Sequence, residues 1–287
     1  MNIIKYFAQF LCVSFLFLIF RLLGLKFSSF LAGKIFKFFG PLIRSNKKTY
    51  SNLSIAFPNL NEYQKKELLK KMWINYGKIF ADYIFIKNFR FSKNFSKNIE
   101  VENQKELELI KKSSKPVIFI SGHFNNFELM AMHLEKSGIN LAAVYRPLNN
   151  KFLNPIMEHI RKKYICKKQI KKGISGTKAL LKNFKNGTSI ALMIDQRVSQ
   201  GIYSNFFNQK AFTTTIPAQF VKKFKAQVVP IYIERFEKNK FKIKISNRIN
   251  FSENETIETI TLSLNKILEK MIIKNPDQWI WTHNRWK

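Results

Sequence analysis

From about Ile99 onward the sequence alternates short apolar runs with amphipathic stretches, and this alternation restricts the fold more than any other feature. The runs at 117–120, 141–144 and 189–194 read as buried strands, and 228–234 pairs with 241–246 across the turn Lys238-Asn239-Lys240. Between them, 102–112, 127–137, 155–164, 177–185, 217–225 and 255–273 have helical spacing. The pattern predicts an α/β fold with a mostly parallel central sheet flanked by helices and reactive loops at the carboxyl ends of strands. A chain of 287 residues is long enough for one such domain with an appendage.

The appendage is N-terminal and hydrophobic. Residues 3–25 are almost wholly apolar, with Lys5 and Arg21 near the ends, where long side chains can snorkel. The unbroken stretch 6–20 is shorter than the ~20 residues of a comfortable spanning helix. A membrane-associated helix that spans and one that lies in the surface both fit. The weak basic start and the lack of a small-residue cleavage site before Arg21 argue against a cleaved signal. In 22–44, Lys26, Lys34, Lys37 and Arg44 interleave with Phe27, Phe30, Phe36 and Phe38, the pattern of a basic amphipathic helix on anionic lipid. If the first segment spans, that basic excess on its C-terminal side predicts a main domain on the cytoplasmic side.

Asn61 is a helix-cap residue before 63–89, where Leu69, Met72, Trp73, Tyr76 and Phe80 recur at helical spacing. The chain thus divides into an anchor with its basic segment (1–45), a helical segment (46–98) and the α/β domain (99–287).

With 50 Lys and Arg against 18 Asp and Glu, the formal charge of +32 calls for an anionic partner: nucleic acid, a membrane surface or an acidic protein. Scattered lysines in a Lys-, Asn-, Ile- and Phe-rich chain are also an ordinary solvated face. Phenylalanine beside the basic residues favours lipid, and no nucleic-acid motif is recognised. Cys12 and Cys166 suggest neither a disulfide framework nor a zinc site, which fits a reducing compartment.

Chemistry concentrates at strand ends. Gly122-His123 follows the first strand and Glu128 opens the next helix. Five residues of helix rotate a side chain by about 500°, roughly 140° from its start, so His123 must lie in the loop and Glu128 in the first turns. That arrangement lets Glu128 hold one ring nitrogen and leaves the other free as a base. Arg146, before Pro147 and Asn149, suits a phosphate or an oxyanion. Asp195-Gln196-Arg197 closes the 189–194 strand, and Phe206-Phe207 precedes Thr213-Thr214-Thr215, which opens a helix whose amides suit an anion. His133 and His159 read as surface or packing residues. His283, among Trp279, Trp281, Arg285 and Trp286, reads as part of an interfacial cluster before it reads as part of a site.

The His-x4-Glu spacing resembles the signature of the lysophospholipid acyltransferase superfamily. The ordered set, Asn52-Leu53 with Phe57-Pro58, Tyr145-Arg146-Pro147 with Asn149-Asn150, Asp195-Gln196, Phe206-Phe207 with Thr213 to Thr215, and Pro276, Gln278, Trp281, His283, Arg285 and Lys287, resembles its lipid A late acyltransferase (lauroyl/myristoyl transferase) branch from about residue 50 to the end. Asn125 and Phe127 depart from the glycine and tryptophan common there. The resemblance implies O-acyl transfer from an acyl carrier protein or coenzyme A thioester to a hydroxyl of an anionic lipid A precursor. The reaction would take place at the cytoplasmic face of the bacterial inner membrane, without metal or cofactor and with no nucleic acid partner. It implies catalysis by His123 with Glu128, no acyl-enzyme, and substrate contacts from Arg146, Asn149, Asp195, Gln196, Arg197 and Thr214. The competing expectations are a superfamily relative acting on a glycerophospholipid, ornithine lipid or phosphatidylinositol mannoside, and a membrane-tethered nucleic-acid-binding protein.

Overall fold

The computed structural model describes residues 2–44, 46–237 and 239–286; Lys238 of the expected turn and Lys287 of the quoted tail lie outside them. The chain opens with α1 (Asn2–Ile43), a helix long and apolar enough to cross a membrane. It breaks at Gly24 (φ 73°, ψ 168°), a left-handed turn that glycine adopts without a Cβ penalty. Ser28 Oγ lies 2.6 Å from the carbonyl oxygens of both Phe20 and Gly24, so its one proton is shared between them across the break. The break falls where the sequence changes from purely apolar to apolar and basic.

Next come α2 (Asn46–Ala56), α3 (Glu62–Asp82), α4 (Ile86–Phe91) and α5 (Lys93–Ser96). Asn61 caps α3 in a reciprocal box with Gln64. The second arm of α1 lies on α3 through small residues. A Cβ on Gly77 would stand 2.1 Å from the Ala32 carbonyl oxygen, and one on Gly40 would stand 2.3 Å from the Trp73 ring. The segment expected to lie on lipid therefore gives one face to α3 and leaves Phe27, Phe30, Phe38 and Leu42 exposed on the other.

The rest is α/β. In chain order it runs β1 (Ile99–Glu102), α6 (Gln104–Ser113), β2 (Ile118–Ser121), α7 (Glu128–Lys136), β3 (Leu141–Tyr145), α8 (Leu153–Ile160), β4 (Lys168–Lys171), α9 (Ile174–Lys185) and β5 (Ser189–Met193). The hairpin β6 (Ile202–Phe206) and β7 (Gln209–Thr213) follows, then α10 (Ile216–Phe224), β8 (Val228–Glu237), β9 (Lys240–Ile245) and α11 (Ile257–Lys274). Seven strands form one sheet in the order β1-β9-β8-β2-β5-β3-β4, parallel except between β8 and β9. The central strand β2 is buried at every position, as its apolar run predicts. The edge strands β1 and β4, read as Ile-Glu-Val-Glu and Lys-Gln-Ile-Lys, are half exposed and carry no apolar run; edge strands commonly use charge to block further pairing.

Two predictions follow from this packing. Gly77→Ala should lower the thermal midpoint of the detergent-solubilised protein, by about 1–3 kcal/mol of stability, because a backbone carbonyl has to move. The second concerns His133 on α7, whose Nε2 lies 2.9 Å from Gln104 Oε1; burial, helped by Lys136, pushes its pKa down to about 4. A histidine held neutral by the fold contributes stability that is complete above its unfolded pKa of about 6.5 and is lost as pH falls toward 4. His133→Gln should accordingly lose less of its thermal midpoint than the wild type over that window.

Candidate active site

Strand register brings the two central side chains together. Ser121 of β2 pairs with Met193 of β5, and two residues beyond each lie His123 and Asp195, side by side at the carboxyl edge of the sheet. Asp195 Oδ1 lies 2.8 Å from His123 Nδ1, while its Oδ2 accepts the His123 backbone N–H at 2.7 Å and the Trp279 indole N–H at 2.8 Å. Gly122 permits this approach, since a Cβ there would meet the Phe124 ring at 2.9 Å and Asp195 Oδ2 at 3.2 Å. Burial alone raises the Asp195 carboxyl; the His123 charge, its two hydrogen bonds and Trp279 outweigh that and hold it below the ordinary value. An ionised carboxylate at Nδ1 selects the tautomer with its proton there. In the neutral ring that tautomer leaves Nε2 as the acceptor, and Nε2 has no protein hydrogen-bond partner among the described residues. The Phe127 ring packs edge-on to the imidazole at 4.8 Å.

This corrects the expected partnership, because the carboxylate on the imidazole belongs to Asp195 and not to Glu128. Glu128 heads α7 and turns away from the ring. Its Oε1 accepts the Tyr83 hydroxyl at 2.7 Å and both Nε and Nη2 of Arg161, at 2.8 and 2.7 Å. Arg161 sits in the π-helical turn that follows α8. Neither Tyr83 nor Arg161 stands out in the sequence, because each is an isolated residue in an amphipathic segment.

Between the two anchors, Asn125 adopts φ +40°, a left-handed conformation that asparagine tolerates better than most residues and that glycine adopts freely. Its backbone N–H bonds to the Gln278 carbonyl at 2.8 Å. Its side-chain amide reaches Asn75 Oδ1 at 2.8 Å and Gln278 Oε1 at 3.0 Å. Asn126 donates at 3.3 Å to Asp82, which forms a buried ion pair with Arg235. Burial raises the Asp82 carboxyl, and Arg235 opposes that rise.

The C-terminal tail closes the site. Phe124 and Trp279 form a backbone bridge, and Trp279, Trp281 and Arg285 are fully buried. Asn52 on α2, the first member of the ordered set, donates to the carbonyls of Trp281 and His283 at 2.8 and 2.7 Å. Arg285 donates to the Phe212 carbonyl and to Thr213 Oγ1 and lies over the Phe206 ring; burial lowers its pKa to about 10. Thr214 accepts the Ile216 N–H at 3.3 Å and so serves the start of α10. It does not line the cleft described next.

A cleft of about 450 Å³ is lined by Arg146, Lys172, Arg197, Val198, Ser199, His283 and Asn284. The register Tyr145 to Lys171 sets Arg146 and Lys172 side by side just past β3 and β4. Lys172 is pushed down from the usual lysine value by burial and then by Arg146, as two like charges at one site require. Of the expected substrate contacts, Arg146 and Arg197 line this cleft; Asn149 is exposed on the loop toward α8, and Gln196 is half-buried next to Asp195. His283 faces the cleft and does not join a purely interfacial cluster. Burial pushes its pKa down to about 4 against the pull of Asp195, and its Nδ1 is buried without a protein partner. Lys172 escaped the sequence reading because β4 did. Among the described residues no three His, Cys, Asp or Glu side chains gather as a metal site requires. An imidazole fixed at one nitrogen and open at the other can, when neutral, take a proton from a hydroxyl, and the three cations of the cleft can hold an anionic group.

A family model described as bacterial lipid A biosynthesis acyltransferase matches residues 1–287. Over 274 residues the chain is 23% identical to the lipid A biosynthesis acyltransferase of Haemophilus influenzae, covering 92% of this chain and 84% of that protein. Over 250 residues it is 22% identical to the lipid A biosynthesis lauroyltransferase of Escherichia coli, covering 85% of this chain and 79% of the relative. Over 262 residues it is 20% identical to the lipid A biosynthesis myristoyltransferase of the same organism, with 89% and 80% covered. Matched along its whole length, the chain belongs to the bacterial lipid A biosynthesis acyltransferase family and is an acyltransferase.

Proposed function

We propose that this acyltransferase moves a fatty acyl chain from an acyl carrier protein thioester to a hydroxyl of a lipid A precursor, at the cytoplasmic face of the inner membrane. The observation that carries the reading is the His123–Asp195 pair at the carboxyl edge of the sheet, with Asp195 two residues before Arg197 of the cationic cleft. Nε2 takes the acceptor hydroxyl proton as its oxygen attacks the thioester carbonyl carbon. Asp195 keeps the Nδ1 proton in place and stabilises the imidazolium that forms. When the tetrahedral adduct collapses, the C–S bond breaks and the departing thiolate takes the proton from Nε2. An ester and a free thiol remain. No serine or cysteine nucleophile enters the sequence. Arg146, Lys172 and Arg197 meet the negative charge of the substrates, and Arg146 is the residue nearest in role to the phosphate contact expected of it.

Glu128 contributes through position. It fixes the start of α7 against α3 and α8, and so holds the far end of the loop that presents His123. The two motif residues should therefore fail differently when substituted.

An assay with acyl carrier protein donors and a tetraacylated precursor tests both roles. His123→Ala and Asp195→Asn should each lower kcat by about 10²–10⁴-fold. His123→Ala leaves the buried Asp195 carboxylate one partner short and should lower the thermal midpoint while the protein still folds; near-normal turnover by that variant would sink the assignment. Glu128→Gln leaves Arg161 without its carboxylate partner and should destabilise the fold by about 3–5 kcal/mol. Glu128→Gln melting like the wild type would show that its carboxylate has no such structural role. In cells, a deletion strain should yield lipid A that lacks one secondary acyl chain by mass spectrometry, and unchanged lipid A would point to another acceptor.

A further inference from the structure

Positive charge is spread unevenly over this molecule. Residues 146–172 carry nine Lys and Arg against the single carboxylate of Glu158, a net +8 in 27 residues, where an even spread of +32 over 287 residues would give about +3. The excess is larger than a uniformly lysine-rich composition explains. Within it, Arg161 is engaged by Glu128 and Lys168 by Asn140 and Thr188. Lys162, Lys163, Lys167 and Lys171 are exposed and enter no ion pair among the described residues. The Tyr145 hydroxyl donates to Glu158 Oε1 at 3.0 Å and Tyr145 pairs with Lys171 in register, so the end of α8 and the end of β4 lie together on one face. That face runs through Lys172 into the cleft lined by Arg146, Arg197 and His283.

A membrane-binding element mixes apolar anchors with cations, as α1 does. Between Glu158 and Gly173 no large apolar side chain is exposed. The segment itself is cationic, with the exposed Phe91 and Ile174 only at its borders, and a mainly cationic surface suits a soluble acidic partner. We infer that the exposed face made by the turn after α8 and the edge strand β4 is the docking surface for the acidic carrier protein that delivers the donor thioester. The inference rests on the acyl-transfer reading given above. With the carrier seated there, its thioester arm enters the cleft past Lys172 and Arg146 and reaches His123 from the side of β3 and β4.

The test is a triple charge reversal, Lys162→Glu, Lys163→Glu and Lys167→Glu, in the full chain, assayed with acyl carrier protein and with an acyl-pantetheine thioester that lacks the protein. KM for the acyl carrier protein should rise roughly 10-fold or more, since rim charges govern encounter and each reversal replaces attraction by repulsion. KM for acyl-pantetheine should not move. In the wild type, KM for the carrier should climb with salt, and the reversal should flatten that slope. An equal rise in KM for both donors, or no change for the carrier, would overturn the inference. So would loss of binding to phosphatidylglycerol vesicles with both KM values unchanged, an outcome that gives the face to the membrane. Direct binding of the unloaded carrier protein separates this inference from the acyl-transfer reading. If the wild type binds it and the triple variant does not, the surface is established even where no turnover is found; equal binding by both rejects it.

Discussion

A carboxylate with no exposed surface must be neutralised by whatever surrounds it, and the donors around Asp195 are the parts of the site. One of its oxygens meets the imidazole, and the other takes a backbone N–H from the same histidine and an indole N–H from the C-terminal tail. Removing any one of them leaves a buried charge short of a partner, which is costly in a low-dielectric interior. The requirement that makes the carboxylate tolerable also fixes the histidine in one tautomer and one orientation. It ties the tail beyond α11 to loops that leave β2 and β5, so the last residues of the chain belong to the site as fully as the motif does.

The His-x4-Glu spacing then has a structural meaning that differs from a paired acid and base. His123 is held at one end of the loop by Asp195, and Glu128 at the other by Arg161 and Tyr83. The residues between them hang on a second buried lattice in which Gln278 grips Asn125 and Asp82 joins Asn126 to Arg235. Two independent anchors and a braced middle leave the loop little freedom, and rigid placement of a base is what proton transfer in the transition state rewards. Asn125 fits the same scheme, because its positive φ is a conformation glycine would take freely and its side chain adds braces glycine lacks.

How much of this was legible follows from what a sequence displays. Continuous apolar runs announce buried parallel strands, so β2, β3, β5 and β8 were read to within a few residues, and the parallel α/β class with them. Strands β1 and β4 were missed because an edge strand is half solvated and its alternating charges resemble a loop. The error propagated, since without β4 nothing placed Lys172 beside Arg146. Strand order was hidden for a similar reason. Asp195 lies 72 residues from His123 and becomes its neighbour only because β5 is laid directly beside β2, whereas the sequence offered Glu128 as the nearer carboxylate. His283 was read with the tryptophans around it, as apolar company suggests, although the tail folds its imidazole toward the cleft.

The N-terminal helix bears on how a lipid substrate would reach this site. Its first turns touch the region just past β3: Asn150 donates to the Tyr6 carbonyl at 2.9 Å, and the Phe152 ring lies 5.4 Å from Phe7 and 6.0 Å from Phe10. Phe152 and Ile156 are partly exposed there, continuing the apolar face of α1 onto α8. A bilayer against α1 would thus meet the protein next to the loop that carries Arg146, and a lipid hydroxyl at that boundary would have a short way to His123. The close seat of Gly77 on Ala32 holds the second arm of α1 against α3, and α3 ends at Tyr83 and Asp82, which grip the motif loop. One continuous run of packed helix therefore joins the exposed apolar surface of α1 to the residues that hold the His123 loop, so the orientation of the site relative to that surface is set by the core.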